Sequence, residues 1–260
     1  MGVEYDSFAE VYDFWVQGAP VAERDRPYYV AEYVRTEGPV VELGVGTGRV
    51  AIEAARQEKA VIGVDSSVEM LARCRERAEA AGVLPLLTLI QADFRDFMLL
   101  EPAALIAIPF HTIGHLVSLE DKRHGLRHIY DQLAPGGRFL FSHFVFNDAL
   151  ARRIDGLAQL HAEVHDPPTR RDSLLWSCAC YDFPAQTIRL VTWTDDLDEE
   201  GLVLRRKYRR LRLSWITPEQ ARELLEETGF EIEALYGDFD RRPFDANSPE
   251  QVWAARKPLT

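Results

Sequence analysis

The run VVELGVGTGRV, Val40 to Val50, restricts what this chain can fold into more than any other stretch. An apolar, β-branched segment ends in Glu42-Leu43, three glycines alternate with Val45 and Thr47, and an alanine-rich stretch follows. That order reads as strand, tight turn, helix. Glycine lacks a Cβ, so such a turn takes unusual φ and ψ and lets a ligand lie against bare backbone, while the first N–H groups of the next helix point at it.

The two strands that follow each stop on an acidic residue. AVIGVD ends at Asp65, one helix and one strand beyond the glycine turn, which is the spacing of a βαβ unit. A carboxylate there can accept both hydrogen bonds of a ribose diol. Its bland role would be to cap the next helix, SSVEMLARCRERAEAAG, which Ser66 or Ser67 caps more naturally. PLLTLIQAD then reaches Asp93-Phe94, and an Asp with one backbone amide at a strand end makes an edge-on purine reader.

A dinucleotide fingerprint wants Gly-x-Gly-x-x-Gly. Here the third glycine comes one residue early, and Glu42 stands two before the first. Together these residues resemble the class I S-adenosylmethionine (SAM)-dependent methyltransferases of the small-molecule type. The resemblance implies an α/β, Rossmann-like seven-stranded sheet with an inserted antiparallel β cap. It implies SAM as cofactor, its amino-acid moiety over Gly44, Gly46 and Gly48 and held by Glu42, directly or through water. The ribose would fall to Asp65 beside Ser66, and the adenine to the Asp93 carboxylate and the Phe94 N–H. Tyr5-Asp6, Ala9 and Tyr12-Asp13 repeat the Y-D-x-x-A-x-x-Y-D form of a helix that lies over the cofactor in many such enzymes. Tyr12 is therefore expected at the cavity, although Tyr5, Phe8, Tyr12 and Trp15 at helical spacing also suit plain packing.

The fourth strand, AALIAIPFHTIGHL, is apolar as a buried parallel strand should be, and it lacks the acidic residue that often opens it in that family. Phe110, His111 and His115 come at and just after its C-terminal end, where open α/β sheets place ligands, with Phe110 on the cofactor side. Helix KRHGLRHIYDQLAPGG ends in Pro-Gly-Gly, resembling the family's turn before strand five, RFLFSHF, which puts His143 at the same crevice. Residues 1–38 read as an N-terminal helical lid, 39–146 and 215–260 as the cofactor-binding core, and 147–214 as the cap. Three β-rich segments, 173–182, 186–197 and 202–214, form that cap. It can roof the crevice and choose the substrate, or join two copies in a homodimer. Thr217-Pro218-Glu219-Gln220 caps a last helix, and FEIEALYGDF with EQVWAARK resembles the family's closing antiparallel pair. The connection between them offers Arg241, Arg242 and Asp245 as substrate contacts or as solvated charge.

Methyl transfer from a sulfonium needs alignment, exclusion of water and, where a proton leaves, a group to take it. His143 and His111 are the candidates for that last task, His143 first because it ends a central strand, and each equally suits an orienting role. The expected function is transfer of a methyl group from SAM to nitrogen or oxygen of a small metabolite. An NAD(P)-dependent oxidoreductase is disfavoured by the early third glycine and by Asp93. A non-catalytic SAM-binding or assembly protein would use the insertion as an interface.

Thirty basic against 42 acidic residues leave a formal charge of −12, so no global field draws nucleic acid. Arg205-Arg206-Lys207 with Arg209, Arg210 and Arg212 is the one basic run, readable as a salt-bridged edge strand or a phosphate contact. Three cysteines without C-x-x-C suit a reducing cytoplasm, the start MGVEYDSF carries no signal-peptide pattern, and no apolar run spans a bilayer. No metal is expected: the pairs His111/His115, His124/His128 and His161/His165 are at helical spacing, but none has the H-E-x-x-H form. Nucleophile-elbow and Walker patterns do not occur.

Overall fold

The computed structural model describes residues 6, 9, 12, 16, 19–166 and 171–259. Asp6, Ala9, Tyr12 and Val16 have helical backbone, whereas Tyr5, Phe8, Asp13 and Trp15 lie outside the described residues. Helix α1 (Pro20–Arg35) leads into β1 (Val40–Leu43), α2 (Ala51–Ala55), β2 (Val61–Asp65), α3 (Val68–Ala80), β3 (Leu87–Gln91) and β4 (Ala103–Ile108). A 3-10 turn at Thr112–His115, α4 (Leu119–Gln132) and β5 (Leu133–Phe144) follow. Then come α5 (Asp148–Ile154), β6 (Ala158–Asp166), β7 (Arg171–Asp182), β8 (Thr187–Leu197), β9 (Val203–Ser214), α6 (Pro218–Thr228), β10 (Glu231–Tyr236) and β11 (Glu250–Arg256).

Seven strands form one sheet in the order β10-β11-β5-β4-β1-β2-β3. Its first five strands pair in parallel, and β11 enters antiparallel to both β5 and β10. The period of two in each strand divides the core between the faces. Val40, Leu105, Leu140 and Val252 pack with Tyr28, Tyr29 and Tyr33 of α1 and with α2 and α3. Val41, Ile106, Phe141 and Trp253 face α4 and α6 on the other side. From β1 the sheet grows toward β2 and β3 on one side and β4 and β5 on the other, so a crevice opens beyond the carboxyl ends of β1 and β4.

Helix starts follow local chemistry. Ser67 accepts from the Met70 N–H, and Ser118/Asp121 and Thr217/Gln220 form capping boxes. The helix after the glycine turn stops at Ala55, with Arg56 to Glu58 in turns and Glu58 at a left-handed φ of 63°. Two expectations are corrected. The Pro-Gly-Gly stretch is not a separate turn: β5 begins at Leu133 and carries a register shift against β4. The insertion holds four strands, ordered β6-β7-β8-β9 and all antiparallel, rather than three. The additional strand, AQLHAEVHD, is poor in β-branched residues and is held by its pairing with β7. Edge strand β9 is salt-bridged as its composition suggests, Arg205 to Asp196 and Arg206 to Asp195.

Candidate active site

The crevice contains a cavity of about 310 Å³ that runs from the glycine turn to the underside of the cap. Of the residues singled out in the sequence, Tyr12, Gly44, Gly46, Asp65, Ser66, Phe94, Phe110, His111 and His143 line it. Glu42, Gly48 and Asp93 do not.

At the turn, Gly46 holds a φ of +55°, a conformation that L side chains rarely adopt, and its N–H donates to Asp65 Oδ2 at 2.8 Å. Asp65 Oδ1 accepts from the Ser67 N–H at 2.9 Å. Burial pushes the Asp65 pKa up, while the backbone N–H groups of Ser67 and Gly46 oppose that rise. A carboxylate offers about four acceptor positions. Asp65 therefore stays fixed by backbone and retains lone pairs for a diol. Gly48 also holds a positive φ, +82°, and a Cβ there would stand 2.7 Å from Cys74 Sγ and 2.8 Å from Ile52 Cδ1, so it lets α3 pack onto the turn as well.

Glu42 lies outside the cavity lining. Its side chain is 3% exposed, beneath the turn, and burial pushes its carboxyl up to about 8. Its Oε2 has no hydrogen-bond partner among the described residues; the Tyr33 hydroxyl is close enough to act on its charge but outside hydrogen-bond geometry. Asp93 is also diverted. Arg95 grips it twice, Nε to Oδ1 at 2.9 Å and Nη2 to Oδ2 at 2.8 Å, and reaches Asp121 as well. An adenine amine would have to share that carboxylate with a guanidinium.

Helix α1 is tied to the turn by a buried ion pair that spacing did not reveal. Arg49 Nη1 and Nη2 meet Asp25 Oδ1 and Oδ2 at 2.6 and 2.7 Å, and Nη1 also donates to the Ala22 carbonyl. The guanidinium lies 5.0 Å from the centroid of Phe110. Phe110 and His111 are consecutive non-glycine residues in the left-handed region, φ 54° and 60°. Such residues cost on the order of 1–3 kcal/mol each and persist only where surroundings hold them. Arg49 holds one. The other is held by Glu250 at the start of β11, whose Oε2 is 2.7 Å from His111 Nε2.

His143 is 1% exposed, and its Nε2 lies 3.2 Å from the Ser214 carbonyl, to which it donates. Burial, with His111 nearby, pulls its pKa well below the usual histidine range, so the ring is neutral. Its Nδ1 is buried without a partner among the described residues. His115, also at the cavity, is pulled down by burial to about 4. Lys122, lowered by burial to about 8, donates to Ser214 Oγ at 2.7 Å and so fixes the residue that holds His143. Above them the cap contributes Leu190, Leu211 and Leu213. Arg241 pairs with Glu32 and Arg242 with Asp238, so neither reaches the cavity lining. Among the described residues no cluster of three or more potential metal ligands occurs, and no helix is long and apolar enough to cross a membrane. His128 instead meets the Phe97 carbonyl, and His161 meets Ser177 Oγ.

Residues 40–137 match the methyltransferase domain family. The CcbJ methyltransferase of Streptomyces caelestis superposes with a TM-score of 0.80 at 28% identity, covering 97% of each chain. The segment 40–137 is thus similar to a methyltransferase domain, and the whole chain has the fold of the CcbJ methyltransferase. Its fold also matches DesVI of Streptomyces venezuelae, TM-score 0.71 at 21% identity over 96% of this chain and 98% of that one. A curated relative, carboxy-S-adenosyl-L-methionine synthase of Aliivibrio salmonicida, is 32% identical over 134 residues, 50% of this chain and 53% of the relative. The chain thus spans about half the length of the first curated relatives it matches. The glycine turn and Asp65 lie inside the matched family region, whereas His143, Glu250 and the cap leucines lie beyond it.

Proposed function

We propose that the chain transfers a methyl group from SAM to nitrogen or oxygen of a small-molecule acceptor. The observation that carries this is one continuous cavity, with the Gly44–Gly46 turn, Asp65 and Ser66 at one end and His111, His143 and three cap leucines at the other. The residues at the first end fit the cofactor. Asp65, preset by two backbone N–H groups, holds the ribose, Gly46 admits the amino-acid moiety against bare backbone, and Phe94 and Phe110 flank the purine. Glu42 acts from beneath the turn by its charge state, and Asp93 together with Arg95 borders the adenine end. Bound there, SAM supplies a methyl carbon on a positively charged sulfur.

The chain's own task is then alignment, exclusion of water and handling of a proton. The cap closes the crevice over a volume suited to a metabolite, and Leu190, Leu211 and Leu213 present an apolar roof to the acceptor's body. Tyr12 closes the cavity from the N-terminal side, its ring 3.8 Å from the position a Cβ on Gly46 would take. CcbJ, a methyltransferase by name, shares this architecture over nearly its whole length.

Calorimetric titration with SAM, S-adenosylhomocysteine (SAH) and NAD(H) tests the reading. Saturable binding of the two adenosyl-sulfur ligands without NAD(H) binding supports it and licenses a screen of amines and alcohols by SAH release. Folded protein that binds NAD(H), or neither adenosyl-sulfur ligand, overturns it.

A further inference from the structure

Resting on that methyl-transfer reading, we propose that Glu250 is a positioning residue that presents His111 as the group taking the acceptor's proton. His111 and His143 both line the cavity, their rings 5.7 Å apart, yet their second partners differ in kind. His143 Nε2 meets a neutral backbone carbonyl, that of Ser214. His111 Nε2 meets a carboxylate that is 4% exposed, Glu250 Oε2, at 2.7 Å. A carboxylate only accepts, so this contact places the ring's proton on Nε2 and leaves Nδ1 with its lone pair for a cavity ligand.

The partner decides where a proton can rest. Protonating buried His143 would create a cation with no anion bonded to it, which is costly away from water. Protonating His111 at Nδ1 creates an imidazolium bonded to an anion. The other charges around the pair do not remove that difference. Arg24 Nη2 is 3.8 Å from Glu250 Oε1 on the far side of the carboxylate, and Asp25 near His111 is already gripped by Arg49.

The step balances. As the acceptor's heteroatom bonds to the methyl carbon, the methyl–sulfur bond breaks with its electron pair left on sulfur, which becomes the neutral thioether of SAH, while the acceptor's N–H or O–H bond breaks and its bonding pair stays on the heteroatom. The proton passes to His111 Nδ1, and the positive charge carried in on the donor ends on the imidazolium facing Glu250. The fitting acceptors are primary or secondary amines and hydroxyl compounds. A tertiary amine has no proton to give and gains nothing from the pair.

Backbone geometry agrees. His111 sits at a left-handed φ of 60°, packed edge-on against Phe144, and Glu250 pairs with Phe144 across the β5–β11 ladder. The strained turn and the ladder thus bring together two residues 139 positions apart.

Proton and nitrogen NMR of protein labelled with ¹⁵N-histidine tests the proposal, with His111 assigned by the signals lost in His111→Gln. The expected result in the wild type, free and with SAH, is a downfield Nε2–H proton on His111 and an unprotonated Nδ1. That proton signal is lost in Glu250→Ala and returns in Glu250→Gln, whose amide oxygen still accepts. The corresponding Nε2–H of His143 persists in both variants and reports that the crevice is folded. A proton on Nδ1 of His111, or a His111 Nε2–H signal unchanged in Glu250→Ala, overturns the proposal. Failure of wild-type protein to bind SAH would overturn the methyl-transfer reading instead, and is scored separately from the tautomer.

Discussion

The two ends of the cavity are built by different means. At the cofactor end the work is done by backbone within one βαβ unit: Gly46 N–H and Ser67 N–H set Asp65, and the whole arrangement spans residues 44–67. At the proposed acceptor end side chains converge from the turn after β4 and from β5, β8, β9 and β11, which are separated by up to about 140 positions along the chain. Backbone geometry repeats wherever strand, turn and helix repeat, which under the proposed function suits the first end to a common cofactor. A meeting of distant side chains can change residue by residue, which under the same proposal makes the second end the place of acceptor choice.

The strongest challenge to this division is the Arg49–Asp25 pair, which belongs to the cofactor end yet depends on a long-range contact. Arg49→Ala leaves Asp25 buried without its cation, and the expected cost is about 3–5 kcal/mol of stability in denaturant unfolding. If that variant is as stable as wild type, α1 is not anchored to the turn through this pair. Replacing both partners together, Arg49→Met with Asp25→Leu, should recover most of the loss, because no charge is then left unpaired.

Glu42 offers a pH test of the buried side of the same turn. Its carboxyl rises to about 8 in the folded chain, above the unfolded value near 4.5, so the folded state binds the extra proton between those limits. Stability contributed by this group is therefore full below about pH 4.5 and falls as pH rises toward 8, by roughly 3 kcal/mol between pH 5 and 8. Glu42→Gln should remove that part of the pH dependence in thermal or urea unfolding. An unchanged slope would mean the carboxylate is already ionised at neutral pH.

Asp65→Ala removes the proposed ribose acceptor and should weaken SAH binding about 100-fold, as expected for two hydrogen bonds to a charged group. The smallest effect is expected at the other end. Leu190→Ala should leave SAH affinity within about twofold while altering acceptor preference in a turnover screen, because it deletes three side-chain carbons from an apolar pocket, where even one methylene changes selectivity by about 1–3 kcal/mol. A large loss of SAH binding in Leu190→Ala would show that the two ends are not separately built.

The comparison also explains which parts were legible in the sequence. Gly44, Gly46, Asp65 and Ser66 were found because their roles follow from short-range spacing, and the structure gathers them as the spacing suggests. Gly48 takes the positive φ expected of the turn, and its missing Cβ also makes room for Cys74 and Ile52, which short-range spacing does not show. Glu42 and Asp93 stand at the expected strand positions, but burial takes the first out of the lining and Arg95, two residues on, occupies the second. His143 and His111 both line the crevice; strand position put His143 first, but what separates them is the partner of each, the Ser214 carbonyl or the Glu250 carboxylate, which strand position does not show. The fourth cap strand was missed because it is stabilised by pairing with β7 and its own residues carry little β preference.

By itself the sequence determined the strand-turn-helix that opens the sheet, the carboxylates at the strand ends and the capped helix starts, since each depends on residues within a few positions of one another. Only the tertiary structure decided which histidine faces a carboxylate, which carboxylates remain available and what roofs the cavity. Those outcomes depend on burial and on hydrogen bonds closed across 70 to 140 positions, and neither the desolvation of a side chain nor its distant partner is written in the residues beside it.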